Sequence, residues 1–320
     1  MRTLKFAAMS EKNEPIKKND KSGVPDESDQ LLRLNQKAYL NSKGIKPGSA
    51  VQLDMFEIVS KGKNLRHIPN DYARSSLFSA CNHNEKRKTM LRQKLFHYNE
   101  FISILYTGVE LRAEDDELVW LQILSYGKSI TLGEPFDFFI KDIVHDIGWT
   151  KSGRNYERVR ECISRLKANE VLAKNTKEYG KSASLSLIHK YTSVNDAEGK
   201  PTKYRVWIDP NLILLFAGNT FSSLQWESYR KLSPVARRLT DWIVSHTFPF
   251  PLDLEKFRQM CGSEGSCTRD WRRIVKKACA DIEKAGIAHK VYVAANKICC
   301  ERNESADFKK LTKPRDERDV

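Results

Sequence analysis

Five cations between Thr268 and Ala285 are the residues most clearly arranged for chemistry, and that chemistry is anion binding. Arg269, Arg272, Arg273, Lys276 and Lys277 recur at i, i+3, i+4, i+7 and i+8, which on a helix gathers them into an arc of roughly 140°. Trp271, Ile274, Val275, Ala278 and Ile282 take the opposite side. Between Arg269 and Lys277 no acidic residue lies inside the basic arc, whereas a merely solvated helix face interleaves both signs to gain i,i+4 pairs. Catalysis finds no such footing. Gly127-Lys128-Ser129 and Gly180-Lys181-Ser182 each lack the glycine five positions earlier that a phosphate loop needs. The seven histidines are scattered and no His-x-His pair accompanies the tyrosines, which argues against a nicking enzyme. No catalytic residue and no cofactor is therefore assigned, and the protein is read as a non-enzyme.

The seven cysteines are Cys81, Cys162, Cys261, Cys267, Cys279, Cys299 and Cys300. The number is odd and no CxxC pair occurs, the pattern of reduced thiols. Cys261, Cys267 and the Cys299/Cys300 pair match no usual zinc spacing and have no histidine at ligand distance, so no metal is assigned. A formal net charge of +14 and a pI near 9.4 accompany 40% hydrophobic residues, which describes a globular chain with a polyanionic partner rather than a disordered polycation. The longest apolar run, Leu212 to Ala217, is far too short to span a bilayer. No membrane partner and a cytoplasmic location are expected.

The elements around the basic stretch say how it is held. Leu254 to Cys261 reads as a short helix ending at Gly262, Ser263 to Cys267 as a turn, and Thr268 as the N-cap of the basic helix, which Gly286 stops. Two strand-like runs open at Lys290 and Lys297 around a turn near Asn296. Short helix, turn, basic helix and hairpin is the order of a winged helix-turn-helix, whose second helix enters the major groove while the hairpin lies along the backbone. Lys290 and Lys297 thereby join the five helical cations as candidate DNA contacts.

The same order occurs once before. Phe138 to Ile147 reads as a helix stopped at Gly148, Trp149 to Arg154 as a turn, and Asn155 to Ala168 as a second helix. Val171 and Leu172 open a strand whose partner is expected in Leu185 to Tyr191, across Gly180. Setting Leu166 on Ile282 brings Val159 onto Val275 and Val171 onto Ile287, so the chain reads as two copies of one unit. In the first copy Arg154 and Arg158 share their face with Glu157 and Glu161; phosphate contact or a protein interface is expected there, not base reading. Ahead of it, Asp115 to Ser125 reads as a helix burying Leu118, Leu121, Ile123 and Leu124 on one side, with Asp115, Asp116 and Glu117 at its N-terminal end. Ser233 and Pro234 open the first helix of the second copy.

The expected fold is α+β, with two tandem winged helix-turn-helix domains and disordered N- and C-terminal tails. The divisions are a tail at 1–50, a linker at 51–64, domains at 65–222 and 223–303, and a tail at 304–320. The linker carries Gln52-Leu53-Asp54-Met55-Phe56. This island resembles the Q-L-x-L-F motif with which bacterial proteins grip the replicative sliding clamp. Gln52, Leu53, Met55 and Phe56 would make the contact, Met55 replacing the commoner leucine.

The segments IPNDYARSSLF (68–78), YTGVELRAEDDELVW (106–120), LFAG (215–218), YRKLSPVARRL (229–239) and FRQMCGSE (257–264) resemble, in order, those of the TrfA family of plasmid replication initiators. The resemblance covers about 50 to 300 and places the clamp motif where that family has its own. It implies a protein of two winged-helix domains that binds direct repeats (iterons) in double-stranded origin DNA. It implies help in opening a nearby A·T-rich segment, recruitment of host DnaA, DnaB helicase and the sliding clamp, and a monomer–dimer equilibrium that limits copy number. A winged-helix transcription regulator is the alternative reading, since the same basic helix would serve it. The tandem unit and the clamp-like island favour the initiator.

Overall fold

A computed structural model of the chain describes residues 64–301, apart from 82–83, 129, 131–132, 176–181, 210–211, 213–220, 247 and 264–266. The expected tails, the 52–56 island, Gly180 and most of the run 212–217 lie outside the described residues. The larger part of the chain runs β1 (Leu65–Pro69), α1 (Asn70–Ala73), β2 (Phe78–Ser79), β3 (Thr89–Leu95), β4 (Ile102–Val109), β5 (Leu111–Arg112), α2 (Asp116–Tyr126), β6 (Phe136–Phe139), α3 (Ile140–Ile147), α4 (Gly153–Lys167), β7 (Glu170–Asn175), β8 (Ser182–Leu185), β9 (Lys190–Asn195), β10 (Pro201–Trp207), β11 (Phe221–Gln225) and α5 (Trp226–Tyr229). Then follow α6 (Pro234–Val244), β12 (Leu252–Asp253), α7 (Leu254–Met260), α8 (Thr268–Lys284), β13 (Lys290–Ala294) and β14 (Lys297–Glu301). The protein is of mixed α/β class. Among the described residues no helix is long and apolar enough to cross a membrane.

Two hydrophobic cores divide these elements. The first gathers Ile68, Phe78, Trp120, Ile143, Val159, Leu166 and Tyr229; the second gathers Leu239, Trp242, Phe257, Trp271, Val275 and Ile282. The first extends past the division expected at 222/223, because β11 pairs antiparallel with β1, and Trp226 and Tyr229 pack into the same core. At its centre lies α2. The alternation of apolar residues predicted one buried side, but Leu118 through Leu124 are buried all round, as befits a helix enclosed by the domain rather than laid on it. Asp116 and Glu117, expected to decorate the helix end, are fully buried as well.

Three helices stop at the glycines expected to stop them. Gly148, Gly262 and Gly286 have φ of 81°, 64° and 70°, the left-handed region that glycine enters without a Cβ penalty. After α8, Gly286 N–H donates to the Glu283 carbonyl and Ile287 N–H to that of Ile282, the paired bonds that satisfy the last carbonyls of a helix. The same pair closes α3 through Gly148 and Trp149. At the other end of α6, Ser233 Oγ caps the Ala236 N–H, with Pro234 in the first turn, as predicted.

Three local expectations are corrected. Phe138 belongs to β6, not to the helix after it, because Phe136 and Phe138 alternate with Asp137 and Phe139 and pair with β10; the period of two wins over that of 3.6. The partner of Val171 is Leu185, but the hairpin ends there. Leu187 and Ile188 are both fully buried and Ile188 N–H donates to the Leu166 carbonyl, so residues 190–195 leave to pair with β10 instead. The N-cap of α8 is Cys267, extended at φ −64° and ψ 155°, and Thr268 is already helical.

Sheet context separates the two hairpins. β7 and β8 sit inside a four-stranded antiparallel sheet of order β3-β4-β7-β8. Among the described residues β13 and β14 are extended only by the two residues of β12, so the second hairpin belongs to no larger sheet and packs against α8 instead.

Candidate nucleic-acid interface

The basic arc of α8 is presented because its apolar side is fastened down. Trp271, Val275, Ala278, Cys279 and Ile282 are buried in the second core, and Trp271 Nε1 donates to the Leu254 carbonyl at 3.0 Å, pinning the helix to α7. Burying side chains of this size contributes about 1.5 to 3 kcal/mol each, enough to fix which face looks outward. Arg269, Arg273, Lys276 and Lys277 are exposed. Arg273 lies 3.7 Å from Asp270 with its side chain 81% exposed, a contact too loose to withhold it from a ligand. Ile274, expected on the apolar side, is 37% exposed and flanks the arc.

Arg272 behaves differently from its neighbours. It is half-buried and donates to Asn296 Oδ1 at 2.5 Å. Asn296 is in the two-residue turn between Ala294 and Lys297, whose other member, Ala295, has φ of 50°. The Asn296 carbonyl accepts from Leu254 N–H at 2.9 Å. The hairpin tip is thus tied to both α7 and α8, and the helix and hairpin present their cations as one surface. Lys297 is exposed on that hairpin, and Lys290 is 3.5 Å from Glu301 and lies over the Tyr292 ring. The seven cations expected in this half therefore share helix and hairpin. The tie through Asn296 was not legible, although an asparagine in a tight turn was its visible half.

In the first half Arg158, Arg160 and Arg165 of α4 are spoken for. Arg158 pairs with Glu114 at 3.1 Å and Asp115 at 3.3 Å, and its guanidinium lies over the Trp149 ring at 4.5 Å. Arg165 pairs with Asp116 at 2.9 Å, and Arg160 with Glu157 at 2.9 Å and the Pro201 carbonyl. Arg87 reaches in from the loop before β3 to both Asp115 and Asp116 at 2.7 Å. Burial alone would raise the Asp115 carboxyl, but Arg87, Arg158 and Arg165 hold it below its ordinary value. Asp116, fully buried and beside the charge of Asp115, is pushed up to about 6. Arg158, expected to touch phosphate, thus stands in an internal ion-pair network, while Arg154 is exposed at the first turn of α4. Sequence reasoning missed this network because its partners are far apart along the chain. Asp115, Asp116 and Cys162 bring ligand atoms within 4.8 Å of one another, but the guanidiniums already fill the role a cation would take. Burial drives the Cys162 thiol well up. The clamp-like Gln52, Leu53, Met55 and Phe56 lie outside the described residues.

Comparison with known proteins sets these features in a family. The family model described as TrfA protein matches residues 21–302, beginning earlier than the resemblance seen from about 50. A curated relative, the plasmid replication initiator protein TrfA of Escherichia coli, is 40% identical over 252 residues, covering 79% of this chain and 65% of that protein's length. The chain therefore spans just under two thirds of that relative. Among solved structures, the fold resembles that of domains 2 and 3 of RctB, with a TM-score of 0.50 at 12% identity over 72% of this chain and 96% of that one.

Proposed function

The chain belongs to the TrfA family, and from that premise we propose that it is a plasmid replication initiator that binds direct repeats in origin DNA through two tandem winged helix-turn-helix units. One observation carries the reading. α8 and the β13–β14 hairpin offer exposed Arg269, Arg273, Lys276, Lys277 and Lys297 on one surface, locked together by Arg272 and Asn296. α8 would lie in the major groove with the hairpin on the adjacent phosphates. The first unit would hold the backbone next to it, with its boundary drawn after Tyr229, where the first core ends, rather than at 222/223. The assignment as a non-enzyme belongs to the same proposal.

The relative's name as a plasmid replication initiator supports the biological role. Assistance in origin opening, recruitment of host DnaA and DnaB and a monomer–dimer equilibrium rest on the family resemblance alone, and action in the cytoplasm on the shortness of the apolar runs. Clamp binding rests on Gln52, Leu53, Met55 and Phe56.

The test is binding of the purified chain to origin fragments with intact and scrambled repeats over a salt series. Specific binding should exceed scrambled binding by at least about 10³-fold. Equal affinity for both sequences would sink the proposal. For the clamp, Leu53→Ala with Phe56→Ala should weaken clamp binding by at least about a hundredfold and leave repeat affinity unchanged; loss of both together would mean that the island is part of the folded domain.

A further inference from the structure

Arg238 is a fully buried charged group on which the two halves of the molecule converge, and they meet again where Arg74 of the first unit donates to Ser245 at the exit of α6. Arg238 is on α6, in the second unit. Nη1 donates to Asp241 Oδ2 at 2.7 Å, within its own helix, and to Glu117 Oε1 at 3.2 Å on α2 of the first unit. Nη2 faces the end of α1, also in the first unit, and donates to the carbonyls of Ala73 at 3.0 Å and Ser75 at 2.6 Å, with Tyr72 at 3.4 Å. Tyr229 OH completes the chain by donating to Asp241 Oδ1 at 3.0 Å.

Such a network is a poor way to gain stability. Glu117 Oε2 and Arg238 Nε have no hydrogen-bond partner among the described residues, and a buried ion pair with unmet valences often contributes less than well-packed apolar side chains of the same volume. Its value is directional. A planar guanidinium that must satisfy a carboxylate on its own helix, a carboxylate on α2 and carbonyls at the end of α1 allows little rotation of one unit against the other. The surrounding contacts obey the same register. Ala80 N–H donates to the Cys261 carbonyl at 2.7 Å, and Tyr98 packs on Trp242 with centroids 4.4 Å apart. A Cβ on Gly262 would come within 3.0 Å of Ser79 Cβ, so the units approach as closely as backbone allows.

We propose that Arg238 is the positioning residue that sets the distance and helical phase between the DNA-binding surfaces of the two units, and so determines the spacing of the sites this protein accepts. The inference rests on the reading above that both units meet DNA. α6 packs directly on α8, so whatever orients α6 against the first unit orients α8 too. Each base pair adds about 3.4 Å of rise; a rigid pair of units should therefore reject a shift that a hinged pair would follow.

The test uses the full chain and three proteins: wild type, Arg238→Met, and Arg238→Met combined with Glu117→Gln and Asp241→Asn. The triple variant removes the two buried carboxylates that the single variant would leave unpaired, and its thermal melt, read before binding, shows that it is folded with Arg237 still buried beside them. Each is titrated with a natural direct repeat and with repeats carrying two inserted base pairs between the two protected halves. Wild type should lose about a hundredfold on the insertion, and the triple variant should lose about tenfold on the natural repeat and almost nothing further on the insertion. In parallel, hydrogen exchange at the Ala80 amide without DNA should rise in the variant while amides inside α2 and α8 stay protected. An unchanged insertion penalty in a folded variant would overturn the proposal, and so would an equal loss on every DNA. Should wild type bind no direct repeat, the DNA-binding reading fails, and Ala80 exchange still decides whether Arg238 locks the units.

Discussion

α4 and α8 are the same helix put to two uses. On the inner face the correspondence is close. Val159, Cys162, Ile163 and Leu166 are buried where Val275, Ala278, Cys279 and Ile282 are buried. On the outer face, Glu157 and Glu161 take the places of Arg273 and Lys277 in that alignment. Arg158 and Arg165 of α4 are turned toward Glu114, Asp115 and Asp116, whereas among the described residues the arginines of α8 meet no buried carboxylate. On the proposed function, what decides between holding the fold and reading DNA is thus the charge on the neighbouring element. Removing a partner from a buried ion pair costs about 3 to 5 kcal/mol, while an exposed contact is worth about 0 to 1 kcal/mol. An arginine engaged as Arg165 is will not leave Asp116 for a phosphate. The hairpins repeat the contrast, since β7–β8 is absorbed into a four-stranded sheet and β13–β14 is extended only by the two residues of β12 among the described residues.

The comparison breaks most readily at Arg165. If α4 is a structural helix, Arg165→Ala should lower unfolding free energy by about 1 to 3 kcal/mol, because fully buried Asp116 would lose one of its two guanidinium partners and keep only Arg87. Urea unfolding measures it. Unchanged stability with a loss of DNA affinity would make α4 a reading helix after all.

On α8 the expectation inverts. Arg273→Ala should leave unfolding within about 0.5 kcal/mol of wild type, since its side chain is exposed. It should cost about 1 to 3 kcal/mol in binding to the natural repeat and relax preference at one base pair. Lys277→Ala, as a phosphate contact, should weaken all sequences alike and reduce the salt slope by about one. A set of repeats mutated one base pair at a time separates the two outcomes. If both variants bind at wild-type affinity, the assignment of α8 is wrong.

A third way to sharpen the contrast uses acid, because the first unit is closed by a histidine that cannot charge. His67 on β1 faces Ser223 on β11, with Nδ1 3.1 Å from Ser223 Oγ, and burial drives its pKa down to about 3, aided by the charges of Lys128 and Arg66. In the unfolded chain the imidazole takes up its proton near pH 6.5, while in the folded chain it does not. Stability from this residue is therefore complete above pH 6.5 and lost as pH falls toward 3, by about 1 kcal/mol at pH 5.5 relative to pH 7.5. His67→Gln should make the fall in melting temperature over that range shallower, leaving the share of His97 and His246, which burial also holds below the ordinary value. An unchanged slope would mean that the acid sensitivity lies elsewhere.

How much of this was legible follows from the range of each interaction. The apolar faces of α4 and α8, the stops at Gly148, Gly262 and Gly286, and the Ser233-Pro234 start are encoded within a turn or two of chain, and periodicity finds them. The burial of Asp116, Glu117 and Arg238 is not encoded locally. Each is tolerated inside only because partners from other elements arrive there, Arg165 at Asp116 and Arg238 at Glu117, and no window of sequence contains both members. The family resemblance covered the same segments without saying which of their charges face inward. Arg158 shows the consequence: spacing placed it correctly on the outer flank of its helix and could not tell that Glu114 and Asp115 had claimed it.

The smallest expected effect separates the two arginines of α4 that were read as phosphate contacts. Arg154 is exposed in the first turn of the helix, where backbone N–H groups and the helix dipole already favour an anion. Arg158 is 29% exposed and bound to Glu114 and Asp115. If the two units differ as argued, Arg154→Ala should reduce affinity for every sequence by less than about 1 kcal/mol and leave the melting temperature alone, as backbone contacts do. Arg158→Ala should act through stability instead, by about 1 kcal/mol, with binding restored when the assay is cooled well below the transition. The discriminating measurement is affinity for natural and point-mutated repeats at a temperature where both variants are fully folded. A sequence-selective loss at Arg154 as large as that at Arg273 would mean that the first unit also reads bases, and the division of labour between α4 and α8 would have to be given up.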